Sequence, residues 1–259
     1  MGLDYEGRAV VVTGGTRGIG AGIAAAFGAA GARVLVCGRN EPTEEQSADF
    51  GRADFCGADF FRADVRDPDQ AASLVEAAVD RYGRLDVLIN NAGGAPPVPA
   101  ATASPRLHAK IIELNLTAPL HVAQAANAVM QQADGGSIIM ISSVSGTRPS
   151  PGTAAYGAAK AGLTHLAVSL AMEWAPKVRV NTVVVGLVAA ENSAVHYGGA
   201  EAMAAAAAAV PSGRMATPQD VADACLFLAS PRASQISGAS LLVHGGGERP
   251  SFLTGADDR

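Results

Sequence analysis

Residues 9–20 decide the fold: Ala9-Val10-Val11-Val12-Thr13-Gly14-Gly15-Thr16-Arg17-Gly18-Ile19-Gly20. The apolar, β-branched run is typical of a strand buried in a parallel sheet, and a helical stretch follows the glycines as far as Ala30. Glycines allow a ligand to approach the backbone, and the first amides of a helix face an anion. The stretch therefore predicts a phosphate-binding turn, although its glycines depart from the common G-x-G-x-x-G spacing. A plain structural turn is the alternative.

The rest of the chain repeats this alternation of strand and helix. Predicted strands cover residues 9–13, 32–37, 60–65, 85–90, 136–143, 178–185 and 239–243. Predicted helices cover residues 21–30, 68–82, 105–132, 152–174 and 218–230. This order implies a parallel sheet with right-handed crossovers. We therefore predict an α/β, single-domain Rossmann fold over residues 1–259, with a doubly wound seven-stranded parallel sheet and helices on both faces.

Composition and charge exclude several classes of protein. Of the 259 residues, 49% are hydrophobic and 17% are charged, which suffices for a large core and is too apolar for a disordered chain. The net charge of −5 argues against nucleic-acid binding. No apolar segment reaches the ~18 residues of a membrane span and no signal peptide is apparent, so we expect a cytoplasmic protein. Cys37, Cys56 and Cys225 lack paired spacing and predict neither disulfides nor a metal site.

The end of the second predicted strand indicates which dinucleotide would bind. In dinucleotide folds an acidic residue near this position holds the ribose 2′-hydroxyl, whereas an arginine accommodates a 2′-phosphate. Gly38 stands where the carboxylate is expected, and Arg39 follows it. Arg17 in the glycine turn can approach the same phosphate. These residues favour NADP(H), with NAD(H) as the second choice and two solvated surface arginines as the non-functional explanation. Asp64 and Val65, at the end of the third strand, could flank the adenine.

A second motif, Tyr156-Gly157-Ala158-Ala159-Lys160, can carry acid and base chemistry. Residues four apart on a helix project from one face, so the ammonium can sit beside the phenol. Lowering a tyrosine pKa from ~10 to about 7 requires roughly 4 kcal/mol, and a cation about 4 to 5 Å away supplies ~3 to 4 kcal/mol at an effective dielectric of about 20. Lys160 and one further positive group, such as an oxidised nicotinamide, would suffice. A packing tyrosine and a solvated lysine are the alternative.

Hydroxyls and an asparagine complete the predicted site. Ser142 and Ser143 end the fifth strand, and ligands of such sheets bind outside the carboxyl ends of the strands. One of the two could hydrogen-bond a substrate carbonyl. Asn115 lies in the helix 105–132, four residues before Pro119, which has no amide to bond the Asn115 carbonyl. We expect a bend there and a carbonyl able to hold a water, with a tolerated helix irregularity as the alternative.

A long segment of small residues, 189–213, follows the sixth predicted strand. An insertion beyond the carboxyl end of a strand suggests a mobile lid over the substrate, with a surface excursion as the alternative. The segment is apolar, and His196 and Tyr197 are its conspicuous polar or aromatic side chains. This composition favours a hydrophobic ketone or acyl thioester over a sugar as the small-molecule substrate. The polar tail 248–259 is expected to be at most partly ordered.

Several short motifs occur in one order along the chain: Thr13-Gly14 with Gly18 and Gly20, Asn90-Asn91-Ala92-Gly93, Asn115, Ser143, and Tyr156 with Lys160. With them the chain from Gly7 to Gly247 resembles the short-chain dehydrogenase/reductase family, close to its 3-oxoacyl-carrier-protein reductases. Ser143 lies 13 residues before Tyr156, the spacing expected for the family's serine, and is therefore chosen over Ser142.

The resemblance implies a dinucleotide-binding oxidoreductase that moves a hydride between a nicotinamide and a carbonyl or secondary alcohol. Tyr156 would transfer the proton and Ser143 would polarise the carbonyl. Lys160 would lower the Tyr156 pKa and bind the ribose, while Asn115 would hold a water in a proton relay. A homotetramer formed through the two long helices and the last strand is also implied. The residues expected to bind the cofactor are Gly14, Thr16, Arg17, Gly18, Ile19, Gly20, Arg39, Asp64, Val65, Asn91, Ala92, Gly93, Tyr156, Lys160, Gly186 and Val188.

Two positions depart from the family pattern. Val185-Gly186 replaces the common Pro-Gly after the sixth strand, and Ala190 replaces a threonine that usually contacts the nicotinamide carboxamide. We expect this contact to be lost or transferred to backbone such as that of Val188. The placement of the nicotinamide and the geometry of the lid depend on these positions.

Two other functions compete with this interpretation. A non-catalytic nucleotide sensor or scaffold on the same fold is the alternative, but the serine, tyrosine and lysine set is intact and degenerate relatives often lose one member. A hydrolase is poorly supported, because the sequence has no G-x-S-x-G nucleophile elbow and its histidines are scattered without metal-ligand spacing.

Overall fold

The computed structural model describes residues 3–42, 57–190, 193 and 198–248. Cys56, His196 and Tyr197 lie outside these residues. So do most of the connecting segment between the second and third strands, part of the predicted lid and nearly all of the predicted tail.

Seven parallel strands form one sheet, as predicted. They are β1 Ala9–Thr13, β2 Arg33–Gly38, β3 Asp59–Arg62, β4 Val87–Asn90, β5 Gly136–Ser143, β6 Val178–Val185 and β7 Ser240–Val243. Their order across the sheet is β3-β2-β1-β4-β5-β6-β7. Every residue of β1 is buried, which explains its uninterrupted apolar sequence. The connections after β1 and β4 lead to opposite sides of the sheet, and this reversal opens a crevice at the carboxyl ends of the strands.

Helices cover both faces of the sheet, which confirms the predicted doubly wound fold. They are α1 Gly18–Ala29, α2 Pro68–Tyr82, α3 Pro105–Ile112, α4 Ala118–Gln132, α5 Ala154–Glu173, α6 Ala200–Ala209 and α7 Pro218–Ala229. α1 and α7 pack on one face around Phe27 and Cys225. α2, α4 and α5 pack on the other face around Leu74, Met130 and Leu163. Within the described ranges, no helix has both the length and the apolar character needed to cross a membrane.

Strand β3 is shorter than predicted. The last backbone hydrogen bond toward β2 runs from the Ala63 amide to the Gly38 carbonyl, at 3.0 Å. The next amide, that of Asp64, donates instead to Oε1 of Gln70 at 2.9 Å. Because Gln70 lies in the first turn of α2, the chain leaves the sheet at this point. Asp64 and Val65 therefore belong to the connection after the strand.

The predicted helix 105–132 is divided into three parts. A π-helical turn, Glu113–Thr117, separates α3 from α4, so the expectation of one bent helix was incomplete. Pro119 has no amide for the helical ladder, and the wider turn bonds the Ala118 amide to the Glu113 carbonyl five residues earlier. Asn115 lies in the middle of this turn and is fully buried.

The two ends of the segment 189–213 are held side by side. Val188 pairs with Ala216 as in a parallel sheet. The Ala189 amide donates to the Ala216 carbonyl at 2.8 Å, and the Ala216 amide donates to the Leu187 carbonyl at 2.9 Å. The segment therefore leaves the region beyond β6 and returns to the same place before α7 begins.

Asp86, just before β4, connects three strands. Its carboxylate accepts hydrogen bonds from the Ala9 amide at 2.9 Å, from Arg8 Nη1 at 2.8 Å and from Arg84 Nε at 2.8 Å. Its backbone donates to the Ala9 carbonyl and accepts from the Ser137 amide, both at 2.9 Å. Burial raises the pKa of this carboxyl, but the donors, Arg84 foremost, outweigh burial and hold the pKa below its ordinary value.

We predict that Asp86→Asn lowers stability at neutral pH more than at acid pH. The folded-state pKa lies below the unfolded value of about 3.9, so the carboxylate stabilises the fold at neutral pH and loses this effect as the pH falls through the folded pKa. The variant should lose about 1–3 kcal/mol of unfolding free energy near pH 7, the range for a hydrogen bond to a charged group. Urea unfolding near pH 7 and near pH 3 measures the difference, with Asp80→Asn on the exposed face of α2 as the control. An equal loss at both pH values would contradict this prediction.

Candidate functional site

A cavity of about 690 Å3 opens at the carboxyl ends of β1, β2, β4, β5 and β6. All of the residues that the sequence predicts to bind the cofactor line this cavity, and so does Ser143. Asn115 does not line it. Residues that are far apart in the sequence therefore meet at the crevice where the strand order reverses.

The glycine turn forms one wall of the cavity. Helix α1 begins at Gly18, and the side chain of its N-cap residue, Arg17, caps none of the helix amides among the described residues. The first amides of α1 thus remain available to an anion. A Cβ atom at Gly20 would lie 2.3 Å from the Gly14 carbonyl oxygen, so no side chain fits there. An exposed backbone at an uncapped helix start fits the pyrophosphate of a dinucleotide.

Asn91 braces this turn from the neighbouring strand. Its Nδ2 donates to the carbonyls of Thr13 and Gly14, at 2.9 and 3.1 Å. Oγ1 of Thr13 accepts in return from the amides of Asn91 and Ala92, both at 3.0 Å. The carboxyl ends of β1 and β4 are therefore tied together across the reversal of strand order. Asn91 lines the cavity as predicted, and its side chain also fixes the shape of the turn.

The end of β2 forms another part of the cavity wall. Gly38 lies beside the glycine turn, since a Cβ atom there would be 3.5 Å from Cγ2 of Thr16. Arg17 and Arg39 line the cavity and form no ion pair with any described residue. Two guanidinium groups are therefore available to an anionic ligand.

Asp64 lines the cavity but its carboxylate is engaged by a neighbour. Arg66 Nε donates to Oδ1 at 2.9 Å, and Arg66 Nη2 donates to Oδ2 at 2.5 Å. These hydrogen bonds hold the pKa of Asp64 below its ordinary value. The pair fixes the connection after β3 against the cavity.

Ser143, Tyr156 and Lys160 converge on one wall. Tyr156 and Lys160 lie one turn apart on α5, and Nζ of Lys160 is 5.6 Å from the centroid of the phenol ring. The ammonium donates to the Ile141 carbonyl of β5 at 2.8 Å. Ser143, two residues further along β5, lies near the phenol, and its hydroxyl lowers the pKa of Tyr156. The end of β5 and the first half of α5 thus bring the three side chains together.

Burial sets the pKa values of the tyrosine and the lysine. It lowers the pKa of Lys160, which is 3% exposed, to about 8. It raises the pKa of Tyr156 above its ordinary value, and the Ser143 hydroxyl opposes this shift. The Tyr156 pKa is raised, whereas the Coulomb attraction between the phenolate and the ammonium alone predicts a lowered pKa. The difference arises because that prediction omitted the desolvation of both groups.

Small residues allow α5 to approach β5 closely. A Cβ atom at Gly157 would lie 2.7 Å from the Ser145 carbonyl oxygen. The short 3-10 turn Val144–Gly146 that follows β5 therefore packs directly on the backbone of the helix. Oγ of Ser143 accepts from the Ser145 amide at 3.2 Å and starts this turn.

Asn115 stands behind the cavity wall. Its Nδ2 donates to the carbonyls of Gly94 and Ile111, both at 2.9 Å, and its Oδ1 accepts from the Gly94 amide at 2.8 Å. The side chain therefore fixes the loop after β4. Within that loop Gly93 lies next to the lysine, since a Cβ atom there would be 3.2 Å from Nζ of Lys160. The water on the Asn115 carbonyl stays a prediction.

Ser193 supplies a hydroxyl near the positions that depart from the family pattern. It is buried and lines the cavity. Its Oγ accepts from the Ala190 amide at 2.7 Å and donates to the Val188 carbonyl at 3.1 Å. The carbonyl of Val188, whose backbone is the expected replacement for the missing threonine contact, thus accepts a hydrogen bond within the protein. Sequence reasoning missed Ser193 because it considered a hydroxyl at position 190 alone; a serine three residues later was the available signal.

Known proteins match this chain over nearly its whole length. Residues 14–248 match the family model described as enoyl-(acyl carrier protein) reductase. The chain is 34% identical over 245 residues to the 3-oxoacyl-(acyl-carrier-protein) reductase FabG of Vibrio cholerae, with 94% of this chain and 98% of that one covered. It is 36% identical over 248 residues to a cis-4-hydroxycyclohexanecarboxylate dehydrogenase of Sinomonas cyclohexanicum, with 95% and 98% covered.

Solved structures agree with these relatives. The ligand-free aldohexose dehydrogenase of Thermoplasma acidophilum has a TM-score of 0.86 and 29% sequence identity, with 94% of this chain and 95% of that one covered. The relatives are named for different substrates and share the term reductase or dehydrogenase. The chain therefore belongs to the short-chain dehydrogenase/reductase family and is an NAD(P)-dependent oxidoreductase.

Proposed function

We propose that the chain is an NADP(H)-preferring carbonyl reductase or alcohol dehydrogenase in which Ser143, Tyr156 and Lys160 carry the acid and base chemistry. The observation that carries this proposal is that these side chains line the same cavity as the glycine turn. When bound there, the nicotinamide supplies or accepts the hydride. The protein itself contributes position, electrostatics and a proton.

The cofactor is held by groups of distinct chemistry. The amides of the glycine turn and of the first turn of α1 bind the pyrophosphate. Arg17 and Arg39 bind the 2′-phosphate, and Asp64 and Val65 flank the adenine. Lys160 binds the nicotinamide ribose. The remaining predicted contacts are Asn91, Ala92, Gly93, Gly186 and Val188.

Tyr156 moves the proton that accompanies the hydride. In reduction the phenol protonates the substrate oxygen, and in oxidation the phenolate takes the proton from the alcohol. The Ser143 hydroxyl donates to the same oxygen and polarises the carbonyl. Lys160 stabilises the phenolate, and a water held by the Asn115 carbonyl links the lysine to solvent. Because burial raises the Tyr156 pKa, the lysine and the positive charge of an oxidised nicotinamide act together to lower it.

The substrate class follows from the segment 189–213. Its helix α6 consists of alanines with one glutamate and one methionine, so the surface of this helix is largely apolar. We propose that the segment acts as a lid over a hydrophobic ketone or a 3-oxoacyl thioester. A panel of ketones, acyl thioesters, alcohols and sugars, followed by NADPH absorbance, identifies the substrate, and a preference for sugars would contradict this proposal.

We predict that Tyr156→Phe loses nearly all turnover while it still binds the cofactor. Removal of the acid or base costs about 10²- to 10⁴-fold in rate, whereas the phenyl ring keeps the packing of α5. Steady-state turnover with the best substrate of the panel and cofactor titration by fluorescence measure the two effects. Tyr82→Phe is the control, because this tyrosine ends α2 and its hydroxyl bonds to Val34 and Asp59 outside the cavity lining. A Tyr156→Phe variant with most of its activity would refute the proposed mechanism.

The cofactor preference gives a separate prediction. Arg39→Gln should lower kcat/KM for NADPH about tenfold, as expected for a charge-assisted hydrogen bond at an exposed site, and leave that for NADH unchanged. Gly38→Asp should shift preference toward NADH, since a side chain there has room beside Thr16. Arg106→Gln, at an exposed position of α3, is the control. Comparable kcat/KM values for the two cofactors in the unaltered protein would defeat the assignment.

We also propose a homotetramer. Exposed apolar side chains lie on α5 and β7, among them Met172 at 83% and Leu242 at 52% exposure. Such side chains are covered at subunit interfaces. Leu242→Asp should therefore reduce the molar mass measured by light scattering after gel filtration, whereas Ser73→Asp on the exposed face of α2 should not. A monomeric unaltered protein would show that the proposal is wrong.

A further inference from the structure

Ser142 lies between Ile141 and Ser143 on β5 and contacts the helix that carries Tyr156 and Lys160. We propose that Ser142 is a positioning residue that fixes Lys160, and through it Tyr156, relative to β5. This inference rests on the proposed function of the tyrosine and lysine pair and deepens it. Neither the sequence nor the comparison with relatives assigns Ser142 this role.

The contacts of Ser142 join the strand to the helix. Its Oγ donates to the Lys160 carbonyl at 3.0 Å. Oγ1 of Thr164, one turn later on α5, lies 3.0 Å from Oγ of Ser142 and 3.0 Å from the Lys160 carbonyl, and it can donate to either acceptor. Ser142 is 3% exposed, so water does not compete for these bonds. Two hydroxyls and one carbonyl therefore form a buried triangle beside the lysine.

Strand β5 holds Lys160 at both ends of the residue. The side-chain ammonium donates to the Ile141 carbonyl at 2.8 Å, and the backbone carbonyl of the lysine accepts from the next residue of the strand, Ser142. A shift of α5 along the strand would lengthen both contacts. The two bonds therefore fix the position of α5 along β5, and with it the position of Tyr156 relative to Ser143.

The position of the ammonium decides its pKa, because burial of the group is what lowers this pKa. Among the described residues, the titratable group that faces the ammonium is Tyr156 on the same helix. From the other elements it faces the Ile141 carbonyl of β5 and Gly93 after β4, which carry no charge. A helix that moves away from β5 admits water to Nζ and raises the pKa of Lys160 toward its ordinary value.

A plain packing role predicts a different outcome. Threonine hydroxyls often bond the carbonyl four residues earlier in a helix, and buried serines need a partner. In that case loss of the Ser142 hydroxyl would affect stability alone. If Ser142 positions the reacting groups, turnover changes more than substrate binding does, since small displacements of such groups cost rate.

The test compares Ser142→Ala with Ser137→Ala. Ser137 is a matched control on the same strand: it is 2% exposed, and its Oγ has no hydrogen-bonding partner among the described residues. We expect Ser142→Ala to lower kcat about tenfold or more with a KM within about twofold of the unaltered protein. Ser137→Ala should leave both constants unchanged.

A second readout needs no substrate. The chain has three lysines, Lys110, Lys160 and Lys177, so protein labelled with carbon-13 in lysine gives three side-chain signals. Lys160 is 3% exposed, and burial lowers its pKa to about 8. In Ser142→Ala its pKa should rise by about half a unit or more, because water reaches the ammonium. If the panel shows no turnover, this titration still tests the positioning of Lys160 while the proposed function fails separately.

Several outcomes would overturn the inference. They are a kcat within twofold of the unaltered value, a change in KM without a change in kcat, an equal loss in Ser137→Ala, or an unchanged Lys160 titration. If Ser142→Ala does not fold, two variants of the partly buried Thr164 test the inference instead. Thr164→Val, which removes the hydroxyl, should then lower kcat and raise the lysine pKa, and Thr164→Ser, which keeps it, should restore both. Equal behaviour of these two variants would refute the inference.

Discussion

A lysine ammonium is buried at the centre of the cavity wall among neutral groups, and much of the site follows from this constraint. A buried cation is costly unless its donors are satisfied. The Ile141 carbonyl satisfies one donor, and no described carboxylate compensates the charge. The cost appears as a lowered pKa, which leaves the lysine sensitive to any further charge that enters the cavity. A group held in this way can respond to a ligand over a narrow pH range.

Several residues that line the cavity are fixed by hydrogen bonds from neighbouring side chains. Thr13 and Asn91 hold the glycine turn, Asn115 holds Gly94, and Ser142 holds Lys160. This pairing has a simple origin, because successive side chains of a strand or turn point in different directions. One residue can face the cavity while the next one bonds to the layer behind it. The motifs of the family thus combine contact residues and their supports.

Sequence reasoning succeeded where a pattern is local. The buried runs of β5 and β6, the glycine turn and the four-residue spacing of Tyr156 and Lys160 need little knowledge of the surroundings. It failed where the result depends on packing: Pro119 indicated a bent helix, but not a π turn that contains the fully buried Asn115. The direction of the Tyr156 pKa shift depends on desolvation, which spacing does not reveal. Ser193 acts through backbone groups three and five residues away, a relation visible only once the chain has turned.

The pairing of Val188 with Ala216 allows the segment between them to vary in length and sequence without moving the strands. Val188 and Ala216 are fixed to each other, so a change in the length of the segment between them leaves the distance between these two residues unchanged. The entropy of closing such a loop grows only logarithmically, by about 0.6 kcal/mol for each doubling of length. New sequences can therefore be inserted here during evolution or in the laboratory while the strands and the reacting groups keep their places. One scaffold can in this way acquire new selectivity without refolding its core.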